Sequence, residues 1–361
     1  MNLIRIIFVF CGLLLLWHSK LLYAQNDNFG VNVGPRIGYL MPHRSTMAHL
    51  VRNHVLGAEV NGVLQTDGQK QWHHDFNFPE INLGLFYGNL GNDEILGNAL
   101  GLAGGIYLPY IKRNGWSFGS HLEAGLGYVT KHYDIIENPK NNAIGSHVNC
   151  LVSIAFRFEK QFLQHGIGMS IGMRHLSNGA FELPNLGVNI PSLSLNYSYY
   201  FKPIETYDEA IEEREGQKLK TWNFYTQIIG SAKQIYPTGG NRYGVVSLTN
   251  YTHYKISNKC VLETGVDAIY NESIVIYNKG DHGKEKNLQF GLYAAYVLPI
   301  HRFEFLVAMG RYVYNPLDPA GMWYHKFGSR FQIVDRLWAN ISIKSHWAKA
   351  DYFEYGLTFR W

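Results

Sequence analysis

Trp116-Ser-Phe-Gly-Ser-His-Leu-Glu-Ala-Gly-Leu-Gly-Tyr128 changes character at every residue. The even positions Trp116, Phe118, Leu122, Ala124, Leu126 and Tyr128 are apolar except for Ser120, and the odd positions Ser117, Gly119, His121, Glu123, Gly125 and Gly127 are polar or small. Successive side chains of a strand point to opposite faces, so this period of two predicts a β-strand with one apolar and one polar face. Ile144 to Phe158 repeats the pattern, with Val148, Cys150, Val152, Ile154, Phe156 and Phe158 opposed to Gly145, His147, Asn149 and Arg157.

A soluble sandwich also alternates, so the sense of the alternation decides the class. Glu59, Glu80, Glu123, His147, Arg157, Glu263 and Asp267 recur on the polar face, while the opposite face is rich in aliphatic and aromatic residues. Apolar outside and polar inside is the arrangement of a transmembrane antiparallel β-barrel of the outer membrane. In a bilayer only helices and closed barrels satisfy every backbone polar group.

About sixteen strand candidates follow one another, in two sets of about eight. Short links such as Lys112–Gly115, Ser257–Lys259, Pro299–Arg302 and Val334–Arg336 take turns with longer ones, including Lys131–Asn142 and Asn271–Asn287. Periplasmic turns and external loops produce this rhythm, although Thr66–Phe78 is long where a turn is expected. The sets are separated by an acid-rich linker at 203–220. Domains are therefore expected at 25–202, holding the candidate site, and at 221–361. The last segment puts Phe353, Tyr355, Leu357, Phe359 and Trp361 on one face and resembles the terminal assembly strand of outer-membrane proteins. Because only Trp361 ends such a strand, a single barrel of about sixteen strands is the expectation, and the barrel assembly machinery is an expected partner.

The chain opens on Arg5 and a 12-residue apolar run from Ile6 to Trp17, closing at Leu-Tyr-Ala24. That is the pattern of a secretory signal peptide over 1–24, too short to span a bilayer. Export, 15% aromatic content and 37 glycines agree with a lipid-facing barrel in a Gram-negative outer membrane. A formal charge of only +4 gives no reason to expect nucleic acid. Cys150 and Cys260 share parity with apolar neighbours, and no disulfide framework is expected.

The chemistry-bearing stretch runs from Arg174-His-Leu-Ser-Asn-Gly-Ala-Phe-Glu-Leu-Pro-Asn-Leu-Gly-Val to Asn189. Ile167, Met169, Ile171 and Met173 set the parity of the apolar face, and His175 and Ser177 continue it. Leu193, Leu195, Tyr197, Tyr199 and Phe201 do the same downstream, and Asn189 shares their parity. Residues i and i+2 of a strand project to one side about 6.6 Å apart, near enough for histidine and serine side chains to hydrogen-bond. Ser177 is thus the candidate nucleophile, His175 its base and Asn189 the group orienting the imidazole, with Asn178 and a backbone amide at Gly179 or Ala180 to receive an oxyanion. Glu182 is a substitute carboxylate for the orienting role. The connectivity places this site at the external end of the seventh strand, in the outer leaflet.

His175-Leu-Ser177-Asn178 followed by Pro184-Asn-Leu-Gly187 resembles the motif of the outer-membrane lipid A 3-O-deacylases (acyloxyacyl hydrolase family), with Asn189 where that family carries glutamate. The likeness covers about 29–201, and 221–361 resembles the C-terminal extension of longer members. It implies a hydrolase acting on an ester-linked acyl chain of lipid A, with lipopolysaccharide as substrate and no cofactor. His175, Ser177, Asn178, Gly179 and Asn189 also match the spacing of outer-membrane phospholipase A, a second lipid esterase. That family uses calcium and dimerisation, yet Glu182 is the only carboxylate between His175 and Asn189, so no metal is expected. A homodimer stays open, as does the contrasting reading of a non-catalytic barrel, either pore or structural element.

Other groupings carry less. His43, Arg44, His49, Arg52 and His54 fall in the first external loop, where Arg44 and Arg52 would contact lipid A phosphates. His73-His74-Asp75 lacks a partner pair at metal-ligand spacing. His325 and Ser329 lie about 13 Å apart along a strand, too far to pair.

Overall fold

A computed structural model of the chain describes residues 28–203, 221–278, 282–317, 321–347 and 349–361. The signal peptide expected at 1–24 and nearly all of the acid-rich linker lie outside the described residues. No helix among them is long and apolar enough to cross a membrane.

Sixteen strands form two closed antiparallel barrels of eight. The first comprises β1 (Asn28–Gly38), β2 (Val55–Gln65), β3 (Glu80–Asn89), β4 (Asn98–Arg113), β5 (Trp116–Val129), β6 (Val148–Phe162), β7 (His165–Ser177) and β8 (Val188–Tyr200). The second comprises β9 (Trp222–Gln234), β10 (Arg242–Ser257), β11 (Cys260–Asn271), β12 (Leu288–Ile300), β13 (Phe303–Tyr314), β14 (Trp323–Val334), β15 (Leu337–His346) and β16 (Lys349–Arg360).

The single barrel expected from the terminal strand is therefore corrected to two. β8 turns back onto β1, with Gly30 opposite Tyr200 and Gly38 opposite Ser192, so the first sheet has no open edge to offer β9. β16 closes on β9 in the same way, with Tyr355 opposite Gly230 and Arg360 opposite Tyr225. Closure removes every unpaired strand edge, which a bilayer demands of each barrel separately. Tyr197, Tyr199 and Phe201 give β8 an outward aromatic end of its own, so a terminal aromatic run marks both barrels here.

The alternation read in β5 is real. Ser117, Gly119, Glu123 and Gly127 are buried inside the barrel, and Trp116, Phe118, Leu126 and Tyr128 face outward. His147 departs from its expected inner position because β6 begins only at Val148. Its ring instead stacks on outward Tyr128 at 5.1 Å.

Eight strands leave room inside for side chains and no more. In the first barrel the Arg36 guanidinium donates to both oxygens of Glu59 at 3.0 and 2.8 Å, and Arg174 bridges Glu59 (3.0 Å) and Glu123 (3.4 Å). Lower down, Arg157 donates to Glu80 at 2.9 Å and to Glu159 at 2.8 Å. Buried charges are tolerable only when paired in this way.

The end of the first barrel where β7 finishes and β8 begins is closed by apolar loop packing. Leu40, Met47, Leu50, Leu90, Leu96, Ile144, Leu176 and Val188 form one buried cluster there. Thr66–Phe78, long for a turn, contains a one-turn helix at Gln71–Asp75. His73 pairs with Asp67 and His74 with the Gly68 carbonyl, so these groups serve the loop itself. Cys150 and Cys260 are free thiols.

Candidate active site

β7 and β8 are adjacent antiparallel strands, and their register sets His175 directly opposite Asn189. Side chains of such a pair stand side by side on the same face, with Cβ atoms about 5 Å apart. Ser177 lies two residues along β7 on that face. The three therefore meet on the outside of the barrel, at the end where its loops gather.

Nε2 of His175 lies 2.9 Å from Oγ of Ser177, and Nδ1 lies 2.6 Å from Oδ1 of Asn189. Since an amide oxygen can only accept, Nδ1 carries the proton and Nε2 is free to accept from the serine hydroxyl. Nδ2 of Asn189 in turn donates to Nδ1 of His43 at 3.1 Å. His43 sits in the segment after β1, which the sequence marked only as a basic loop. Its place beside Asn189 had no local signal, because 146 residues separate the two.

Ser177 is only 3% exposed, so the hydroxyl is withdrawn from bulk water while its strand faces lipid. The loop after it, residues 178–187, is shaped around this group. Gly179 and Ala180 have φ of +63° and +61°. For alanine the left-handed conformation costs about 1–2 kcal/mol, so surrounding contacts must hold it. Among the described residues, the Gly179 and Ala180 amides donate to no acceptor, and they lie two and three residues after Ser177.

Asn178 is more occupied than its place in the motif suggests. Its Nδ2 donates to Ser146 Oγ and to the Glu182 carbonyl, both at 2.9 Å, and its backbone N–H donates to Asn185 Oδ1 at 3.0 Å. With both amide protons engaged, the side chain ties the loop closed. The Pro-Asn-x-Gly segment acquires physical reasons as well. Asn185 caps the Asn178 amide, and Gly187, at φ +80°, passes so close to the imidazole that a Cβ would lie 2.7 Å from Cε1 of His175.

Glu182 is not brought to His175. Its carboxylate lies 3.4 Å from Arg242 on the second barrel, which leaves Asn189 as the group holding the imidazole. Arg44 is exposed, and Arg52 is exposed and ion-paired with Glu94. Arg52, His49 and Lys140 line one open recess on the loops at this end of the barrel. No group of three His, Cys, Asp or Glu residues converges among the described residues.

Comparison with known proteins follows the division into barrels. Residues 57–199 match the family model described as lipid A 3-O-deacylase (PagL), and residues 221–361 match that described as acyloxyacyl hydrolase, C-terminal domain. No curated protein matches the chain. Among solved structures, a multiply substituted porin of Rh. blastica and a triple mutant of Rhodopseudomonas blastica porin each align over 93% of this chain and 99% of theirs. Identity is 10% and the TM-score 0.17 in both, too low to bear on the architecture. The two family matches, one on each barrel and in chain order, mean that the chain belongs to the lipid A 3-O-deacylase (acyloxyacyl hydrolase) family of outer-membrane hydrolases.

Proposed function

We propose that this lipid A deacylase is a serine esterase whose reacting groups are Ser177, His175 and Asn189, working from the lipid-facing side of the first barrel in the outer leaflet. The observation that carries the reading is the continuous hydrogen-bonded line from Ser177 through His175 to Asn189. An outward-facing polar line in a lipid-facing band is costly unless it is used.

Oγ of Ser177 attacks the ester carbonyl of an acyl chain as Nε2 of His175 takes its proton. The charge that develops on the carbonyl oxygen turns to the amides of Gly179 and Ala180, which are already oriented and unengaged. Collapse breaks the bond to the sugar oxygen, His175 returns the proton to it, and the acyl chain stays on Ser177. Water activated by the same imidazole then releases the fatty acid. Throughout, Asn189 keeps Nδ1 protonated, and His43 fixes which end of the Asn189 amide faces the imidazole. An amide can rotate end for end at little steric cost, and the acceptor at His43 removes that ambiguity.

Arg44 and Arg52 lie on the external loops of the same barrel, where a phosphorylated sugar headgroup would sit, and guanidinium groups suit phosphate. The phospholipase and non-catalytic readings are less favoured, since both family matches are to lipid A hydrolases.

The test is release of fatty acid from lipopolysaccharide by purified protein in EDTA, with mass spectrometry of the lipid product. Loss of one ester-linked acyl chain, absent in Ser177→Ala, is the expected result. Full activity in a folded Ser177→Ala variant, or a calcium requirement with lysophospholipid as main product, would overturn it.

A further inference from the structure

Residues 179–183 are held by the second barrel, residue after residue. The Gln234 N–H, at the end of β9, donates to the Ala180 carbonyl at 2.9 Å. The Gln234 side chain turns back, accepting from the Leu183 N–H at 2.8 Å through Oε1 and donating to the Gly240 carbonyl at 2.7 Å through Nε2. Arg242, the first residue of β10, donates from Nε to the Phe181 carbonyl at 3.1 Å, lies 4.4 Å over the Phe181 ring and pairs with Glu182. The Phe353 ring of β16 packs on Gly179 so tightly that a Cβ there would lie 2.4 Å from it.

We infer that the second barrel is a positioning device for the oxyanion loop, with Gln234 and Arg242 as its positioning residues. The inference rests on the reading of Ser177 as nucleophile and of the Gly179 and Ala180 amides as oxyanion donors. Among the described residues, the hydrogen bonds that residues 179–183 make within the first barrel all run to Asn178, at the start of the loop. Ala180, in a backbone conformation that alanine avoids, is held through its carbonyl by the main-chain N–H of Gln234, and the Gln234 side chain fixes that contact by tying Leu183 to Gly240. Gln234 is 5% exposed and every polar atom of its side chain is used, so it is built into the contact and does not merely touch it. Donors that must meet a developing charge lose most of their effect when displaced by about 1 Å. Without these ties the Gly179 and Ala180 donors lose the contacts that hold their part of the loop.

The second barrel also docks at the opposite end, where Trp72 stacks on His301 with ring centroids 5.7 Å apart. That contact supplies the control. In the full-length protein, Gln234→Ala and Arg242→Ala should each lower kcat by roughly 10- to 100-fold with KM within about twofold, because the loss falls on the transition state. Affinity for an acyl trifluoromethyl ketone, which forms a tetrahedral adduct on serine, should fall in parallel with kcat. Arg242→Lys should recover little, since lysine lacks the planar fork that contacts backbone and carboxylate together. Trp72→Ala should leave kcat within about twofold, as it lies at the far end of the seam. The inference is overturned if folded Gln234→Ala and Arg242→Ala keep wild-type kcat, if they raise KM instead, or if Trp72→Ala lowers kcat as much as they do. Activity surviving in Ser177→Ala would instead defeat the nucleophile assignment on which the inference stands.

Discussion

The first barrel pairs Arg36 and Arg174 with Glu59 and Glu123; the second pairs Arg330 with Glu263 and Lys326 with Asp267, and surrounds these with Tyr293, Tyr324 and His253. Inside, both are closed eight-stranded sheets filled by buried ion pairs. Outside they differ. The first carries a line of hydrogen-bonded polar groups at one end, where Ser177, His175, Asn189 and His43 meet. In the second, His325 on the outer face stacks on Phe327 and meets Trp347 edge-to-face, and its Nδ1 has no hydrogen-bond partner among the described residues. The same fold thus presents two different outer surfaces, and the proposed chemistry rests on a few outward side chains and one loop of the first.

The largest effect is expected for Ser177→Ala and for His175→Ala. Each should reduce deacylation by on the order of 10⁴-fold or more, since nucleophile and base fail as a unit. The same assay should be indifferent to His325→Ala, and a large loss there would mean that the second barrel has chemistry of its own.

Interior charges should matter alike in both barrels. Glu59→Ala strands Arg36 and weakens the hold on Arg174, and Glu263→Ala leaves Arg330 only its longer pair with Glu304 at 3.6 Å. Leaving a buried charge without its partner costs about 3–5 kcal/mol. Each variant should lower the temperature at which the folded, faster-migrating gel band is lost. A drop in only one of them would show that the interiors are not equivalent.

Asn189→Ala should lower kcat by about 10- to 1000-fold by releasing the imidazole, while Asn189→Glu should retain or raise activity by adding charge stabilisation to the imidazolium. Glu182→Gln should be milder than Asn189→Ala, since Glu182 faces Arg242 and not His175. The reverse order would return the orienting role to Glu182.

The smallest effect belongs to His43→Ala, about 3- to 10-fold in kcat with KM little changed, as it acts only through the orientation of Asn189. Combined with Asn189→Ala the loss should not add, and full additivity would separate His43 from the site.

Much of the site was legible before any coordinates. A period of two fixes which side chains share a face, so Ser177, His175 and Asn189 could be grouped from spacing alone. The direct pairing of β7 with β8 then brought them within hydrogen-bond reach. The polar interior was legible for the same reason, apart from His147, because the strand read from Ile144 begins only at Val148. The occupied side chain of Asn178 was not legible, because its acceptors on Ser146 and Glu182 lie in loops whose course no period describes.

Strand period, polar and apolar faces, the acid-rich division between two sets of strands and the core of the site were determined by the sequence itself, because each depends on neighbours within a strand or a hairpin. Closure into two barrels, the arrival of His43 at Asn189 and the grip of Gln234 and Arg242 on the loop after Ser177 were decided only by tertiary structure. Each joins residues far apart in the chain: Gly30 meets Tyr200, His43 meets Asn189, and Leu183 meets Gln234. Such contacts follow from which edge a finished sheet pairs with and which loops its closure brings together, and local patterning holds no record of either.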